Sequence, residues 1–252
     1  QELKNLYLKI KNNSFDIEDV TSSMKTEISK ILYNKPPKTS SSNFINEKND
    51  IESLESEYLG KNPEILVVDN FLTPEALLEL QEFYRNANIF KYPYGNGYVG
   101  AFLTKGLSNK FILKLTEDLR KTYKNIFTNL QLTQAWAFKY DSKSKGINVH
   151  ADDASINVNF WITPDHANLN KKTGGLKIWN KLPPKEWDFE EFNYNSPKII
   201  KMLEAEKITH KIIEYKENRA IIFNSKLFHA TDNYNFKDSY EDRRVNMTFL
   251  YD

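Results

Sequence analysis

The chain has 252 residues, of which 40% are hydrophobic and 13% aromatic, the composition of a folded protein with a sizeable core and not of a disordered one. Its 35 Lys and Arg nearly balance its 34 Asp and Glu, so no global field draws it onto nucleic acid or an acidic membrane surface. Cysteine is absent, which excludes disulfides, thiolate metal sites, iron–sulfur clusters and cysteine nucleophiles; no apolar run reaches the roughly 18 residues of a membrane span.

Residues 1–62 are rich in Lys, Asn, Ser and Glu, and Pro36-Pro37-Lys38-Thr39-Ser40-Ser41-Ser42-Asn43 breaks any regular element laid across it. Weak amphipathic patterns over 3–10 and 17–33 predict helical pieces joined by linker. This segment is read as an appendage dispensable for the chemistry, and 63–252 as the main domain. Ile65-Leu66-Val67-Val68 is a short apolar strand. A helix over 74–87 follows, with Thr73 as N-cap, Pro74 at the first helical position and Leu72 stapled onto Leu77. Tyr92-Pro93-Tyr94-Gly95-Asn96-Gly97-Tyr98 reads as a flexible aromatic loop, a lid or plain surface. After Ser108, Ile112, Leu115, Leu119, Tyr123 and Ile126 make one helical face.

Beyond Leu130 the period switches to two, predicting strands over 132–140, 155–162, 176–179, 208–215, 219–223, 227–230 and 244–251. A helical insertion over 196–206, with Pro197 at its start, interrupts them. Helices first and strands afterwards predict a mainly β, α+β chain: an antiparallel sandwich or barrel buttressed by helices, with a concave interior suited to a ligand.

Two of the four histidines sit where a metal would want them. In extended backbone, His150 and Asp152 of His150-Ala151-Asp152 project to the same side. His229 follows the apolar strand Ala220-Ile221-Ile222-Phe223, and antiparallel pairing would bring it beside His150. Two imidazoles and one carboxylate leave three coordination positions open, as non-haem iron(II) oxygenases require, although these ligand types also suit other divalent metals. Arg243 and Arg244 open the last strand, fourteen and fifteen residues after His229, and a guanidinium there can grip a carboxylate in bidentate fashion. Alternation puts Arg244, Asn246 and Thr248 on one face and Arg243, Val245, Met247 and Phe249 on the other. Tyr140 adds a hydroxyl donor.

The ordered set of Val67-Val68-Asp69-Asn70-Phe71-Leu72-Thr73-Pro74, His150-Ala151-Asp152, Gly174-Gly175-Leu176, Phe228-His229-Ala230 and Arg244-Val245-Asn246-Met247-Thr248 resembles the 2-oxoglutarate/iron(II)-dependent dioxygenases, in the prolyl 4-hydroxylase-like branch. The resemblance covers about residues 63–252 and implies a double-stranded β-helix, the jelly-roll or cupin-like core. It further implies that His150, Asp152 and His229 ligate iron(II), that Arg244 anchors the far carboxylate of 2-oxoglutarate, and that Tyr140 or Thr248 assists. O2 would be the co-reactant, and a C–H bond of a peptidyl or small-molecule substrate would be hydroxylated with release of succinate and CO2. The gap from His229 to Arg244 is longer than usual in this family, so 233–242 is expected to form a long hairpin available for substrate recognition.

Other readings stand beside this one. Asp153 competes with Asp152 but should face the opposite way, and His166 and His210 read as loop and strand residues. Trp136, Phe138, Phe160, Trp161 and Trp179 suit a half-buried sheet, and Gly174-Gly175 suits a turn opening the next strand. A cupin-like zinc or manganese hydrolase or isomerase would use the same three ligands with Asp153 as base; a non-catalytic binding module would use the barrel as scaffold. A soluble, cytoplasmic protein without nucleic-acid or membrane partners is expected, with the oligomeric state left open.

Overall fold

The computed structural model describes residues 2–29, 37, 42–144 and 146–252; most of the expected breaker at 36–43, and residues 30–33 of the 17–33 pattern, lie outside them. Contacts divide the chain into two units, Gln1–Tyr33 and Asn34–Asp252. The first carries α1 (Glu2–Lys11), a 3-10 turn (Ile17–Asp19) started by a capping box between Asp16 and Asp19, and α2 (Ser22–Ser29).

The second unit opens with α3 (Ile51–Leu59), β1 (Ile65–Val68) and α4 (Pro74–Asn86). Thr73 Oγ1 accepts from Ala76 N at 3.2 Å, so the expected N-cap forms with Pro74 in the first turn. The stretch expected as an irregular loop is instead a hairpin, β2 (Tyr92–Tyr94) and β3 (Tyr98–Phe102), turned at Gly97 with φ of 78°. Helix α5 (Lys110–Thr122) begins at an Asn109 cap. Its face of Phe111, Ile112, Leu115 and Leu119 is fully buried. Each such burial contributes roughly 1.5–3 kcal/mol against about 1 kcal/mol for a cap, so packing and not capping holds this helix.

The remaining strands are β4 (Leu132–Tyr140), β5 (Lys143–Ser144), β6 (Ile156–Trp161), β7 (Leu176–Trp179), β8 (His210–Ile213), β9 (Ala220–Asn224), β10 (His229–Thr231), β11 (Tyr234–Asn235) and β12 (Val245–Tyr251), with α6 (Ser196–Ala205) inserted before β8. They form a seven-stranded sheet in the order β1-β9-β6-β12-β4-β3-β2, a three-stranded sheet β10-β7-β8 and the pair β11-β5, with antiparallel pairing throughout. Alternation sorts the side chains. Ala220 and Ile222 of β9 join a cluster with α4 and α5, whereas Ile221 and Phe223 join one with Leu176, Ile178 and Ile213 of the smaller sheet. Strands buried on both faces are read in sequence as continuous apolar runs, as Ala220-Ile221-Ile222-Phe223 is. Gly175 lets β7 lie against β8, since a Cβ there would fall 1.8 Å from the Ile213 carbonyl oxygen.

The compositional boundary at 62/63 does not coincide with the packing boundary. Phe44 stacks on Phe111 at 4.2 Å, Ile45 bridges Leu72, and the Glu55 carboxylate accepts from Asn125 N and Nδ2, each at 2.6 Å. Losing a buried aromatic alone typically costs about 3–5 kcal/mol. A chain starting at Asn62 is therefore expected to unfold at markedly lower urea than one starting at Asn34, and equal midpoints would show that this packing contributes nothing. The 233–242 segment also departs from expectation. Phe236 is buried and Asn168 bridges it, and no residue of the segment lines the cavity beside His150 and His229. Among the described residues no helix is long and apolar enough to cross a membrane.

Candidate metal centre

His150 and His229 are joined by an antiparallel bridge, His150 N donating to His229 O at 3.0 Å and His229 N to His150 O at 2.8 Å. This backbone pairing places side by side two imidazoles that are 79 positions apart in the chain. Asp152 completes the group, and one ligand atom from each residue lies within 4.8 Å of the others. His150 Nε2 is 3.7 Å from Asp152 Oδ1, and His229 Nε2 is 3.5 Å from Asp152 Oδ2.

The outer bonds orient the rings. His150 Nδ1 lies 2.8 Å from Asn148 O, and His229 Nδ1 lies 2.9 Å from Leu227 O. A carbonyl can only accept, so each Nδ1 donates outward and each Nε2 faces the Asp152 carboxylate. Two Nε2 atoms and a carboxylate converging in a mostly buried site make a donor set for one cation. Asp152 is itself held in place: Asn157 Nδ2 donates to Oδ2 at 3.0 Å, and Asn193 Nδ2 reaches Oδ1 at 3.4 Å and Ala151 O at 2.8 Å. Neither asparagine stands out in sequence, because a carboxamide that steadies a ligand has no spacing signature of its own.

Burial, then the adjacent His229, push the His150 imidazole down to about 4, against the opposing pull of Asp152. Against the raising effect of burial, the two histidines and Asn157 hold the Asp152 carboxyl below its ordinary value. His150 thus binds its proton less readily when folded than at the unfolded value of about 6.5. The stability this contributes is present above that value and lost as pH falls toward about 4. Urea midpoints of the metal-free protein should fall over this window, and His150→Gln should flatten the fall; an unchanged slope would mean that His150 is not held neutral by the fold.

The triad opens into a cavity of about 450 Å³ that Tyr140, Arg244, Asn246 and Thr248 also line. Arg244 is 1% exposed. Its Nε donates to Gly174 O at 2.7 Å, its Nη1 to Asn246 Oδ1 at 3.2 Å, and its guanidinium carbon lies 4.6 Å from the centre of the Tyr140 ring, with Trp161, Tyr215 and Tyr234 around it. Among the described residues no carboxylate pairs with it. The Gly174-Gly175 turn therefore also seats the arginine. Arg243 points away and pairs with Asp141 and Asp238. Thr248 Oγ1 accepts from Asn159 Nδ2 at 3.0 Å, and burial raises the Tyr140 phenol, which stays protonated. Asp153, His166 and His210 lie outside the triad: Asp153 is 63% exposed and 3.7 Å from Lys226, His166 is near Asp242, and His210 packs on Trp179. Trp136 and Phe138 line the cavity, while Phe160 and Trp161 are core.

No protein-family model and no curated protein sequence matches the chain. Solved structures do. The non-haem α-ketoglutarate-dependent epimerase SnoN from nogalamycin biosynthesis superposes with a TM-score of 0.58 at 11% identity, covering 80% of this chain and 82% of that one. A prolyl-4-hydroxylase from Pseudomonas putida gives 0.52 at 10% identity, over 80% and 97%. A 2OG-Fe(II) oxygenase family protein from Burkholderia pseudomallei gives 0.51 at 10% identity, over 84% and 95%. With its seven- and three-stranded antiparallel sheets both lining the cavity, the chain has the double-stranded β-helix fold of the 2-oxoglutarate/iron(II) oxygenases.

Proposed function

We propose that the chain is an iron(II)- and 2-oxoglutarate-dependent oxygenase that hydroxylates a C–H bond of a small-molecule or peptidyl substrate. One observation carries this reading: a triad of inward-facing metal-ligand atoms and a buried arginine without a carboxylate partner among the described residues line the same cavity. The first suits a cation and the second an anion, and a metal-chelating dicarboxylate answers both. His150, Asp152 and His229 would hold the metal, and three protein ligands leave room for a bidentate cosubstrate and O2. Arg244 would take the far carboxylate, with Gly174 O and Asn246 fixing its plane. The Thr248 and Tyr140 hydroxyls stand in the same wall as further donors. When bound, iron and 2-oxoglutarate supply the oxidising chemistry, with succinate and CO2 released.

The chain's own work is placement and shielding. Asn157 and Asn193 orient Asp152, and the aromatic rings around Arg244 exclude water, which strengthens a charge pair formed there. A hydrolase built on the same ligands would need a base at the metal, and Asp153, turned out toward Lys226, does not serve. Anaerobic titration of 2-oxoglutarate into manganese(II)-loaded and metal-free protein tests the reading. One binding site that depends on the metal is expected, and absence of binding in the loaded protein would contradict it.

A further inference from the structure

We propose that the cleft above the metal accepts an uncharged, ring-bearing small molecule rich in hydroxyls, of the glycoside class, gripped between the β2–β3 hairpin and the turn at 189–194; this rests on the metal and 2-oxoglutarate sites assigned above. The hairpin presents Tyr94 and Tyr98 with rings stacked at 4.6 Å and 11°. The other jaw presents Phe189 and Tyr194, whose rings are 5.6 Å apart, at the N-cap and the last residue of a single π-helical turn (Glu190–Tyr194). All four line the cavity, and Tyr94, Phe189 and Tyr194 are 40%, 44% and 67% exposed. Single exposed aromatics need no explanation, but three converging on one opening mark a binding surface.

Charge narrows the class. Apart from the triad and Arg244, the only acidic or basic residue among the described cavity-lining residues is Asp153, which is exposed and near Lys226. With Arg244 committed to 2-oxoglutarate, a phosphate ester, a coenzyme A thioester or a free amino acid would bring an anion that finds no further cation among the described lining residues. The polar side chains that remain toward the mouth are Asn96, Gln134, Asn148, Asn193 and Ser196. Asn193 keeps its Oδ1 as an acceptor and the other four side chains both donate and accept, which complements hydroxyls, while aromatic faces complement the C–H face of a saturated ring. An extended peptide would rather add to a sheet edge. The edge strand β2, which lines the cavity through Tyr94, is three residues long and includes Pro93, which lacks an N–H.

The turn also braces the metal site. Ala151 N donates to Phe192 O at 2.9 Å, and Asn193 reaches Ala151 and Asp152. A substrate seated on Phe189 and Tyr194 therefore rests on the element that supports the ligand carboxylate.

Saturation-transfer NMR tests the class, anaerobically, on manganese-free protein loaded with zinc(II) and 2-oxoglutarate. The probes are neutral methyl and aryl glycosides, the corresponding glycosyl phosphates, a free amino-acid mixture and a proline-containing peptide. Transfer to at least one neutral glycoside and none to the phosphates is expected, with affinity falling at least fivefold in Tyr94→Ala/Tyr194→Ala. The affinity for 2-oxoglutarate, measured alongside, checks folding of that variant. Protein that binds 2-oxoglutarate but prefers the peptide or a phosphate, binds no glycoside, or is indifferent to the two tyrosines overturns the substrate class alone. Failure to bind 2-oxoglutarate overturns the site assignment as well.

Discussion

His229→Ala is expected to lower divalent-metal affinity by more than about 100-fold, since loss of a mere outer-shell partner already costs 10–100-fold at such sites. The substitution removes one of three protein ligands and leaves His150 and Asp152 with an incomplete grip. The backbone bonds between His229 and His150 do not involve the side chain, so the strand pairing that builds the site should survive. Because the ring is 4% exposed and packs on Phe223 at 5.0 Å, some loss of stability is expected, and His229→Gln, which refills most of the space, separates the two effects. Competition against a chromophoric chelator reads the affinity. A variant that holds the metal as tightly as the parent would remove His229 from the ligand set.

Arg244→Ala should weaken 2-oxoglutarate binding at least tenfold, while Arg243→Ala should change it little. Truncating one partner of a buried charge pair typically costs about 2 kcal/mol or more, and about 1.4 kcal/mol is a factor of ten. Arg244 is buried among aromatic rings in the cavity wall. Arg243 spends its guanidinium on Asp141 and Asp238, both largely exposed, and pairs of that kind contribute about 0–1 kcal/mol. Anaerobic titration of both metal-loaded variants measures the difference. A larger loss at Arg243 would mean that the carboxylate is held outside this cavity.

The final strand was legible because its two faces differ in chemistry: Val245, Met247 and Phe249 pack under the helices, and Arg244, Asn246 and Thr248 face the cavity. The clustering of His150, Asp152 and His229 was legible because residues two apart in extended chain share a side, and an apolar strand before His229 implied a sheet position. The N-terminal boundary was not, since Phe44 and Ile45 are a lone apolar pair in a polar stretch and the short Ile51, Leu54 and Tyr58 stripe of α3 lies among Glu and Ser; both reach the core through tertiary contacts. The β2–β3 hairpin escaped because Tyr, Pro and Gly in close succession read as a loop; only pairing of β3 with β4 makes it a strand. Asn157 and Asn193 escaped because their role depends on where Asp152 lies.

The most direct test is succinate release from 2-oxoglutarate by the full chain in air, with iron(II) and without added substrate, followed by mass spectrometry. Slow formation of succinate that requires iron and O2, is abolished by chelation and is lost in both His229→Ala and Arg244→Ala is the expected result. Succinate formation equal in the parent and in both folded variants, or absent from a parent shown to bind iron and 2-oxoglutarate, would contradict an oxygenase centred on His150, Asp152 and His229.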